Sequence, residues 1–301
     1  MALTPSPDQV CMTAIATQLN GSIATYPWQW QGRTITITYE TLGAGEPVLL
    51  LPTLSTVSSR TELSTLAHHL ASQYQVTVLD WPGFGDSDRP RLAYQPTLYQ
   101  QFLKEFVTAN FSQPIAVVAA GYALTIPDAW SQIALVAPTW KGPLAVMGAP
   151  ETLRNGVREL VRAELIGPLL YWLNTRPAFL KWMYRRHVFV DDTRLTSDYI
   201  DQRHRGTQKS GARYAPAAFV TGGLDPVHTR ATFLAYFEAL SVPVMIIVGQ
   251  QAPPSSKAEM EIMAALPQVQ SVSLPGTLGM AEEYGEAVAK IVLPFLQAKS
   301  N

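Results

Sequence analysis

The chain has 301 residues, which is enough for one α/β domain with an insertion or for two small domains. Its 22 Lys and Arg residues balance 23 Asp and Glu residues, and this excludes the basic footprint of a nucleic-acid-binding protein. Charged residues make up only 15% of the chain, against roughly 25% in an ordinary globular protein. The surface is therefore either rich in uncharged polar residues or built to contact an apolar partner.

Cysteine content and hydropathy predict the compartment. The single cysteine, Cys11, rules out an internal disulfide and fits a reducing compartment. The first ten residues show no basic segment followed by an apolar run, so no secretory signal is predicted. The apolar stretch over residues 115–126 spans about 12 residues, whereas a transmembrane helix needs about 20. These features predict a soluble, cytoplasmic protein.

The first 137 residues predict alternating strands and helices. Apolar or alternating runs predict strands over residues 34–39, 48–51, 75–79, 115–119 and 133–136. Ser59 and Glu62 fit a capping box at the start of a helix that continues to about residue 70, and a second helix is predicted over 99–109. Such alternation is typical of a parallel sheet with helices on both faces.

The alternation breaks after residue 137 and resumes near residue 241. Residues 138–240 contain only helical stretches separated by proline and glycine. A strand over 244–248, a helix over 257–266, a strand over 269–274 and a helix over 281–296 follow. We therefore predict an α/β core formed by residues 1–137 and 241–301, with a helical insertion, the cap, over residues 138–240.

Three segments of the predicted core carry recognisable motifs. They read PVLLLP over residues 47–52, LDWPGFGDSD over 79–88 and LPGTLGMAEE over 274–283. In this order, with a helical insertion before the third, they resemble the α/β-hydrolase superfamily from about residue 30 to the end of the chain. The resemblance implies an α/β-hydrolase fold with a mostly parallel sheet and an inserted helical cap.

The resemblance also implies acyl transfer by a nucleophilic serine, an acid and a histidine, in that order along the chain. The serine position, after the strand over 115–119, is occupied by Gly121. The acid position holds Ala252 and the histidine position holds Gly279. None of the five histidines lies beyond His228, so no histidine is present in the segment that supplies the base. The sequence thus predicts a degenerate member that lacks the triad.

The turn around Gly121 predicts a further departure from the superfamily. Only five residues separate Gly121 from Pro127, so the helix that follows the nucleophile is predicted to be truncated. The backbone N–H groups of Leu54 and Tyr122 match the positions of an oxyanion hole. A residual oxyanion hole without a nucleophile binds a ligand and does not turn it over.

Other residues offer alternatives. Ser55, Thr56, Ser58 and Ser59 crowd the loop that rims the expected pocket, where they are either turn residues or include a displaced nucleophile. Asp225 and His228 either form an acid–base pair or mark a helix start with Asp225 as N-cap. No grouping of His, Cys, Asp and Glu has metal-ligand spacing and no phosphate-binding glycine motif occurs, so no metal and no cofactor are predicted.

The cap is the most distinctive segment. Residues 164–190 are rich in aromatic and aliphatic side chains, and residues 151–190 carry seven Lys and Arg against three Glu. This composition suits a cap over an apolar pocket, a surface for lipid headgroups or a protein partner, or a cap packed on its own core. We expect binding contacts from Ser55 and Trp81 in the pocket and from Trp172, Phe179 and Trp182 on the cap.

The leading hypothesis is a pseudo-hydrolase that binds an apolar small molecule or a protein partner through pocket and cap, with peripheral membrane contact as an option. A cryptic hydrolase of hydrophobic esters, or a lyase-type enzyme using displaced residues, is the first alternative. A structural assembly factor with a closed pocket is the second. The volume of the cavity beneath the cap separates the leading hypothesis from the assembly factor.

Overall fold

A computed structural model describes residues 15–298, so Cys11 and the start of the chain, on which the compartment prediction rests, lie outside the described residues. The described part contains one sheet of eight strands. The strands are β1 (Ser22–Trp30), β2 (Arg33–Leu42), β3 (Glu46–Leu50), β4 (Tyr74–Leu79), β5 (Ile115–Ala119), β6 (Trp130–Val136), β7 (Val244–Gly249) and β8 (Val269–Leu274).

The α-helices of the described residues fall into two groups. Those of the core are α1 (Ser64–Leu70), α2 (Pro96–Asn110), α10 (Pro254–Ala264), α11 (Met280–Glu283) and α12 (Gly285–Gln297). Those of the cap are α3 (Pro143–Val146), α4 (Glu151–Arg162), α5 (Gly167–Thr175), α6 (Pro177–Met183), α7 (Ser197–Thr207), α8 (Tyr214–Val220) and α9 (Arg230–Glu238). No strand occurs between β6 and β7.

The strand order is β1-β2-β4-β3-β5-β6-β7-β8. β2 pairs antiparallel with β1 and β4, and every other neighbouring pair is parallel. All residues of β5 and β7 are buried, which explains their continuous apolar sequences. The predicted α/β class with a mostly parallel sheet is confirmed.

Strand β1 was not predicted from the sequence. Its segment alternates with the period of a half-buried strand, and Trp28 and Trp30 point into the core while their neighbours stay exposed. The Trp28 ring stacks on Trp30 at 5.3 Å and meets Phe102 of α2 at 5.2 Å. The left-handed backbone of Gln31 and Gly32 forms the tight turn into β2.

The predicted capping box is half formed, because the Glu62 carboxylate accepts a hydrogen bond from the Ser59 N–H. The Ser59 side chain caps no helix, and the chain enters α1 through a short 3₁₀ turn, Arg60–Leu63. The Glu62 carboxylate accepts hydrogen bonds from the N–H and the hydroxyl of Thr53, at 2.5 and 2.8 Å. The acidic residue therefore fixes the loop after β3, a partner that local spacing does not reveal. The predicted closing helix is also divided, into α11 and α12, at Tyr284.

The glycine-rich motif after β4 is a structural turn. The buried Asp80 carboxylate accepts hydrogen bonds from the N–H of Arg60 at 2.6 Å and the N–H of Asp86 at 2.8 Å. Gly85 has φ +53° and lies against Asp80, where a side chain does not fit. The Ser87 hydroxyl donates to the Asp80 carbonyl at 2.7 Å. The motif thus holds the end of β4 rather than a substrate.

Candidate functional site

The position predicted for the nucleophile lies directly after β5. Gly121 has φ −169° and ψ −36°, and the chain continues as a short 3₁₀ helix, Tyr122–Thr125. The predicted truncation is confirmed. A Cβ atom added at Gly121 falls 2.7 Å from the Thr139 carbonyl oxygen, which is backbone and cannot move aside as a side chain can. The turn therefore lacks room for a serine side chain.

The position predicted for the acid lies after β7 and is apolar. Ala252 is buried, and its N–H donates to the Gly249 carbonyl at 3.2 Å. The N–H groups of Gln250 and Gln251 donate to the carbonyls of Leu274 and Gly276, which join this loop to the loop after β8. The two loops are adjacent, as the resemblance implies, and no carboxylate replaces the acid at Ala252.

The position predicted for the histidine is covered by the cap. The Gly279 N–H donates to the Val188 carbonyl at 3.1 Å, and the Thr277 hydroxyl donates to the same oxygen. A Cβ atom at Gly279 falls 2.6 Å from that oxygen and also collides with the Val188 side chain. The absence of a side chain at residue 279 is what lets the cap backbone approach this loop.

A cavity of about 60 Å³ lies between the ends of β3 and β5 and the cap. Leu54, Trp81, Gly121, Tyr122 and Asp225 are among the residues that line it. Water occupies about 30 Å³ per molecule in the liquid, so the space suits about two waters. Pockets for apolar ligands are several times larger, at roughly 300–1,000 Å³. This cavity is thus too small for such a ligand.

The Tyr122 side chain fills much of the space above β5. Its ring lies 5.9 Å from Trp81 and 5.7 Å from Tyr99, and its hydroxyl donates to the Leu224 carbonyl of the cap. Burial raises the pKa of the Tyr122 phenol well above its ordinary value, and the charge of Asp225 acts in the same direction. This hydroxyl is therefore a structural donor that ties the cap to the core.

Asp225 has a different role from both predictions made for it. Its carboxylate accepts a hydrogen bond from the Gly142 N–H at 2.7 Å, while His228 is exposed and makes no contact with it. The following helix begins at Arg230, capped by Thr229. The acid–base pair and the N-cap at Asp225 are thus both wrong, because the carboxylate joins the loop after β6 to the cap.

The remaining sequence candidates are dispersed. Ser55 lies outside the cavity, and its hydroxyl accepts a hydrogen bond from the Val57 N–H at 3.3 Å. His68 and His204 bond to the carbonyls of Leu19 and Thr175. No histidine of the described residues lines the cavity. Over residues 15–298, no group of His, Cys, Asp and Glu has the geometry of a metal site.

A buried ionic cluster beside the loop after β8 was not predicted. Arg203 of α7 forms an ion pair with Glu282 of α11, and the Tyr199 hydroxyl donates to the same carboxylate at 2.6 Å. Arg203 also donates to the Ser59 hydroxyl at 3.2 Å. Burial raises the pKa of Glu62 to about 7, against the opposing charge of Arg203. Glu282 and Ser59 lie 79 and 144 residues from Arg203 along the chain, so no local sequence pattern predicts these contacts.

The predicted cap residues lie apart from the cavity. Trp172 and Trp182 are about half exposed, and the Phe179 ring packs on Trp182 at 5.6 Å. None of the three lines the cavity. The structure therefore separates these cap residues from the cavity, and α5 and α6 present Trp172 and Trp182 to solvent. That the cap residues bind a ligand or partner stays a prediction.

Asp225 makes a testable contribution to the pH dependence of stability. Burial raises the pKa of its carboxyl from an ordinary 3.8 to about 7, whereas the Gly142 N–H and the charges of Arg154 and Lys141 act in the opposite direction. Between about pH 4 and 7 the folded state holds a proton that the unfolded state has lost. The free energy of unfolding therefore falls as the pH rises, by at most about 1.4 kcal/mol per pH unit.

Asp225→Asn keeps an acceptor for Gly142 but removes the titration. We expect the stability of the wild type relative to this variant to fall from pH 5 to pH 7 and then to level off. Urea unfolding of both proteins at pH 5, 6, 7 and 8 measures the difference between their free energies of unfolding. The titration of Glu62 cancels in this difference because both proteins contain Glu62. A constant difference across this range contradicts the assignment.

Solved structures share this fold. Cfl2 from Burkholderia cenocepacia superposes with a TM-score of 0.70 at 17% identity, over 94% of this chain and 98% of that one. A thermophilic esterase from Thermogutta terrifontis superposes with a TM-score of 0.69 at 18% identity, over 93% of this chain and 100% of that one. A bromoperoxidase from Bacillus anthracis also has a TM-score of 0.69 at 18% identity, over 92% of this chain and 100% of that one. Identities this low show the fold alone.

The sequence matches no curated protein significantly. It does match the model of the alpha/beta hydrolase family over residues 48–291, which is most of the chain and includes both halves of the core and the cap. The matched segment runs from β3 into α12. The chain belongs to the alpha/beta hydrolase family.

Proposed function

We propose that this chain is a non-catalytic member of its family that docks on an anionic lipid surface through the outer face of its cap. The observation that carries the proposal is a set of large apolar side chains that α3 to α6 and their connections expose to solvent. The members of this set, the cap apolar face, are Met147, Leu153, Leu160, Leu165, Ile166, Leu169, Trp172, Leu173 and Trp182.

The first support for lost catalysis is chemical. Gly121, Ala252 and Gly279 carry no nucleophile, acid or base. A general base must lie within hydrogen-bond reach of the proton it removes, and no histidine of the described residues lines the cavity. The cavity volume of about 60 Å³ also leaves no space for an ester of a hydrophobic acid. From the leading hypothesis we therefore keep binding through the cap, and we abandon binding of an apolar ligand in the pocket.

Helix α4 gives the clearest sign of a docking surface, because two of its arginines turn toward the protein while two of its leucines are exposed. Arg154 donates to the carbonyls of Thr221 and Ala149, at 2.9 and 3.1 Å, and Arg158 lies against Gly223. Leu153 and Leu160, on the other side of the helix, are 57% and 50% exposed. An amphipathic helix normally buries its apolar side. In α4, Val157 and Val161 of the apolar side are half-buried and Leu153 and Leu160 are left in solvent. We take the two exposed leucines as contacts for a partner outside this chain.

The neighbouring helices extend the apolar surface. Leu165, between α4 and α5, is 94% exposed, and Ile166 and Leu169 follow it. Trp172 and Trp182 combine a large apolar ring with an N–H group, a combination that suits the boundary between headgroups and acyl chains. Apolar patches of this extent on a protein surface mark interaction sites.

The charges around this surface favour an anionic partner. Residues 151–190 carry seven Lys and Arg against three Glu, but Arg154 bonds to carbonyls of this chain and Arg185 pairs with Asp192. Arg176 stacks on Trp172 at 5.0 Å, and Lys181 and Arg186 are exposed without a side-chain partner among the described residues. Polybasic segments attract anionic headgroups, and apolar side chains between the cations can insert among them.

A lipid surface accounts for these features better than a protein partner does. The apolar side chains protrude from α-helical turns and inter-helix connections, and a fluid headgroup layer accepts them without a matching shape. Docking at the surface needs no membrane span. None of the helices within residues 15–298 combines the length and hydropathy that crossing a bilayer requires.

The docking prediction concerns Trp172 and Trp182. Each tryptophan that leaves water contributes roughly 1.5–3 kcal/mol, so the variant Trp172→Ala with Trp182→Ala is expected to partition at least about tenfold more weakly. Co-sedimentation with phosphatidylglycerol vesicles measures the partition. Because both rings are half exposed, circular dichroism is expected to show an intact fold. Lys181→Gln with Arg186→Gln is expected to weaken binding to these vesicles and not to phosphatidylcholine.

Ile23→Ala is the matched control, since Ile23 is also a large exposed apolar residue but lies on the edge strand β1. It is expected to bind vesicles like the wild type. The proposal fails if the wild type stays in solution with anionic vesicles, or if the tryptophan variant binds equally well. Dimers in size-exclusion chromatography that the tryptophan variant abolishes, without vesicle binding, would instead make this face an interface between copies.

The catalytic prediction is inactivity that side-chain replacement does not reverse. The wild type is expected to resist labelling by fluorophosphonate. The triple variant Gly121→Ser, Ala252→Asp, Gly279→His is expected to hydrolyse p-nitrophenyl esters no faster than a denatured control. The physical reason is that side chains at residues 121 and 279 collide with the backbone of Thr139 and Val188. Stoichiometric serine labelling of the wild type would favour the cryptic hydrolase. Turnover by the triple variant would instead show that the turn at Gly121 accommodates a nucleophile and that the truncation argument is wrong.

A further inference from the structure

A second cavity, of about 200 Å³, lies on the other side of the loop after β3. The loops after β3 and β4 form one wall, and α7 with the start of α8 forms the other. The residues that define its chemistry are Ser58, Arg60, Arg89, Arg203, Arg205 and Lys209. Ligands of open α/β sheets bind outside the carboxyl ends of the strands, which is where this cavity lies.

The wall of the cavity is strongly cationic. Five of its residues are Arg or Lys, and Asp86 is the single carboxylate among them. Asp86 is already engaged, because it accepts from Arg60 at 2.7 Å and forms an ion pair with Lys209. The Arg60 guanidinium also pairs with Glu40 and Asp80. The Arg203 guanidinium pairs with Glu282.

Two of the cations have no carboxylate partner. The Arg89 guanidinium donates to the carbonyls of Gly206 and Gly85, which are neutral acceptors, and its buried Nε has no hydrogen-bond partner. Arg205 is exposed, and within the described residues its side chain has no partner. The charges of Asp80 and Asp86 still act on Arg89 through space. Arg205 therefore contributes a positive charge that has no carboxylate partner among the described residues.

The Ser58 hydroxyl is the second, independent sign of a missing ligand. Ser58 is only 4% exposed and lines the cavity, yet its hydroxyl has no hydrogen-bond partner. Buried hydroxyl groups are normally bonded, since the loss of hydration is otherwise uncompensated. A hydroxyl donor and an arginine Nε donor, both unsatisfied and both in a cationic cavity, are complementary to the oxygens of an anion.

We propose that this cavity binds a phosphate group, either inorganic phosphate or the phosphate of a small monoester. Its oxygens would accept from Ser58, Arg89 and Arg205, and the volume of about 200 Å³ also leaves space for a short organic substituent. Exposed Arg205 and Lys209 lie at the solvent side of the site, and buried Ser58 and Arg60 lie at its inner end. This inference stands on the cavity alone and is independent of lipid docking by the cap.

Isothermal titration calorimetry with inorganic phosphate and with glycerol 3-phosphate tests the proposal at constant ionic strength. Saturable binding of at least one of them is expected, with Ser58→Ala at least fivefold weaker and Arg205→Gln at least tenfold weaker. Neither variant removes a hydrogen bond seen in the fold, so both are expected to melt like the wild type without phosphate. Equal affinities indicate a free phosphate site, and tighter binding of glycerol 3-phosphate indicates a monoester site.

Arg33→Gln is the control, since Arg33 is an exposed arginine on β2 away from the cavity. It is expected to leave the affinity unchanged. The proposal is overturned if neither compound binds the wild-type protein, or if Ser58→Ala and Arg205→Gln both bind as tightly as the wild type.

Discussion

The close approach of the cap to Gly279 is the constraint on which the rest of the site depends. The Val188 carbonyl accepts from the Gly279 N–H in space that any side chain at residue 279 would occupy. Two further contacts hold the cap in this position. The Glu283 carboxylate accepts from the N–H groups of Val190 and Asp191 at 2.7–2.9 Å, and Glu282 is paired with Arg203. The loop that would carry a catalytic base in an active relative is thus an anchor for the cap.

A fixed cap has consequences for the inside and the outside of the protein. Inside, the Tyr122 hydroxyl and the Asp225 carboxylate join the cap to the loops after β5 and β6, and only about 60 Å³ remains between them. Outside, α4 is oriented with Arg154 against α8 and Leu160 toward solvent. The proposed function follows from both: the cavity is too small to bind an apolar ligand, and the exposed face is too apolar to be an ordinary surface.

The sequence predicted the central strands well, because a strand buried on both faces must be continuously apolar, as β5 and β7 are. It also assigned Gly121 and Gly279 to the loops after β5 and β8, where the structure has them; that they occupy the triad positions stays a prediction. It failed where partners are distant: Asp225 bonds to Gly142, 83 residues away. Periodicity shows that α4 is amphipathic but not which side packs inward, so the cap apolar face became visible only in three dimensions.

Hydrogen–deuterium exchange of the protein with and without phosphatidylglycerol vesicles tests most directly whether binding occurs on the outside of the cap. The account predicts slower exchange in α4, α5 and α6 when anionic vesicles are present, and unchanged exchange in residues 119–125, 249–252 and 275–280, which surround the predicted triad positions. Protection confined to those three segments, with none in α4 to α6, would contradict it, because the ligand would then lie in the enclosed site.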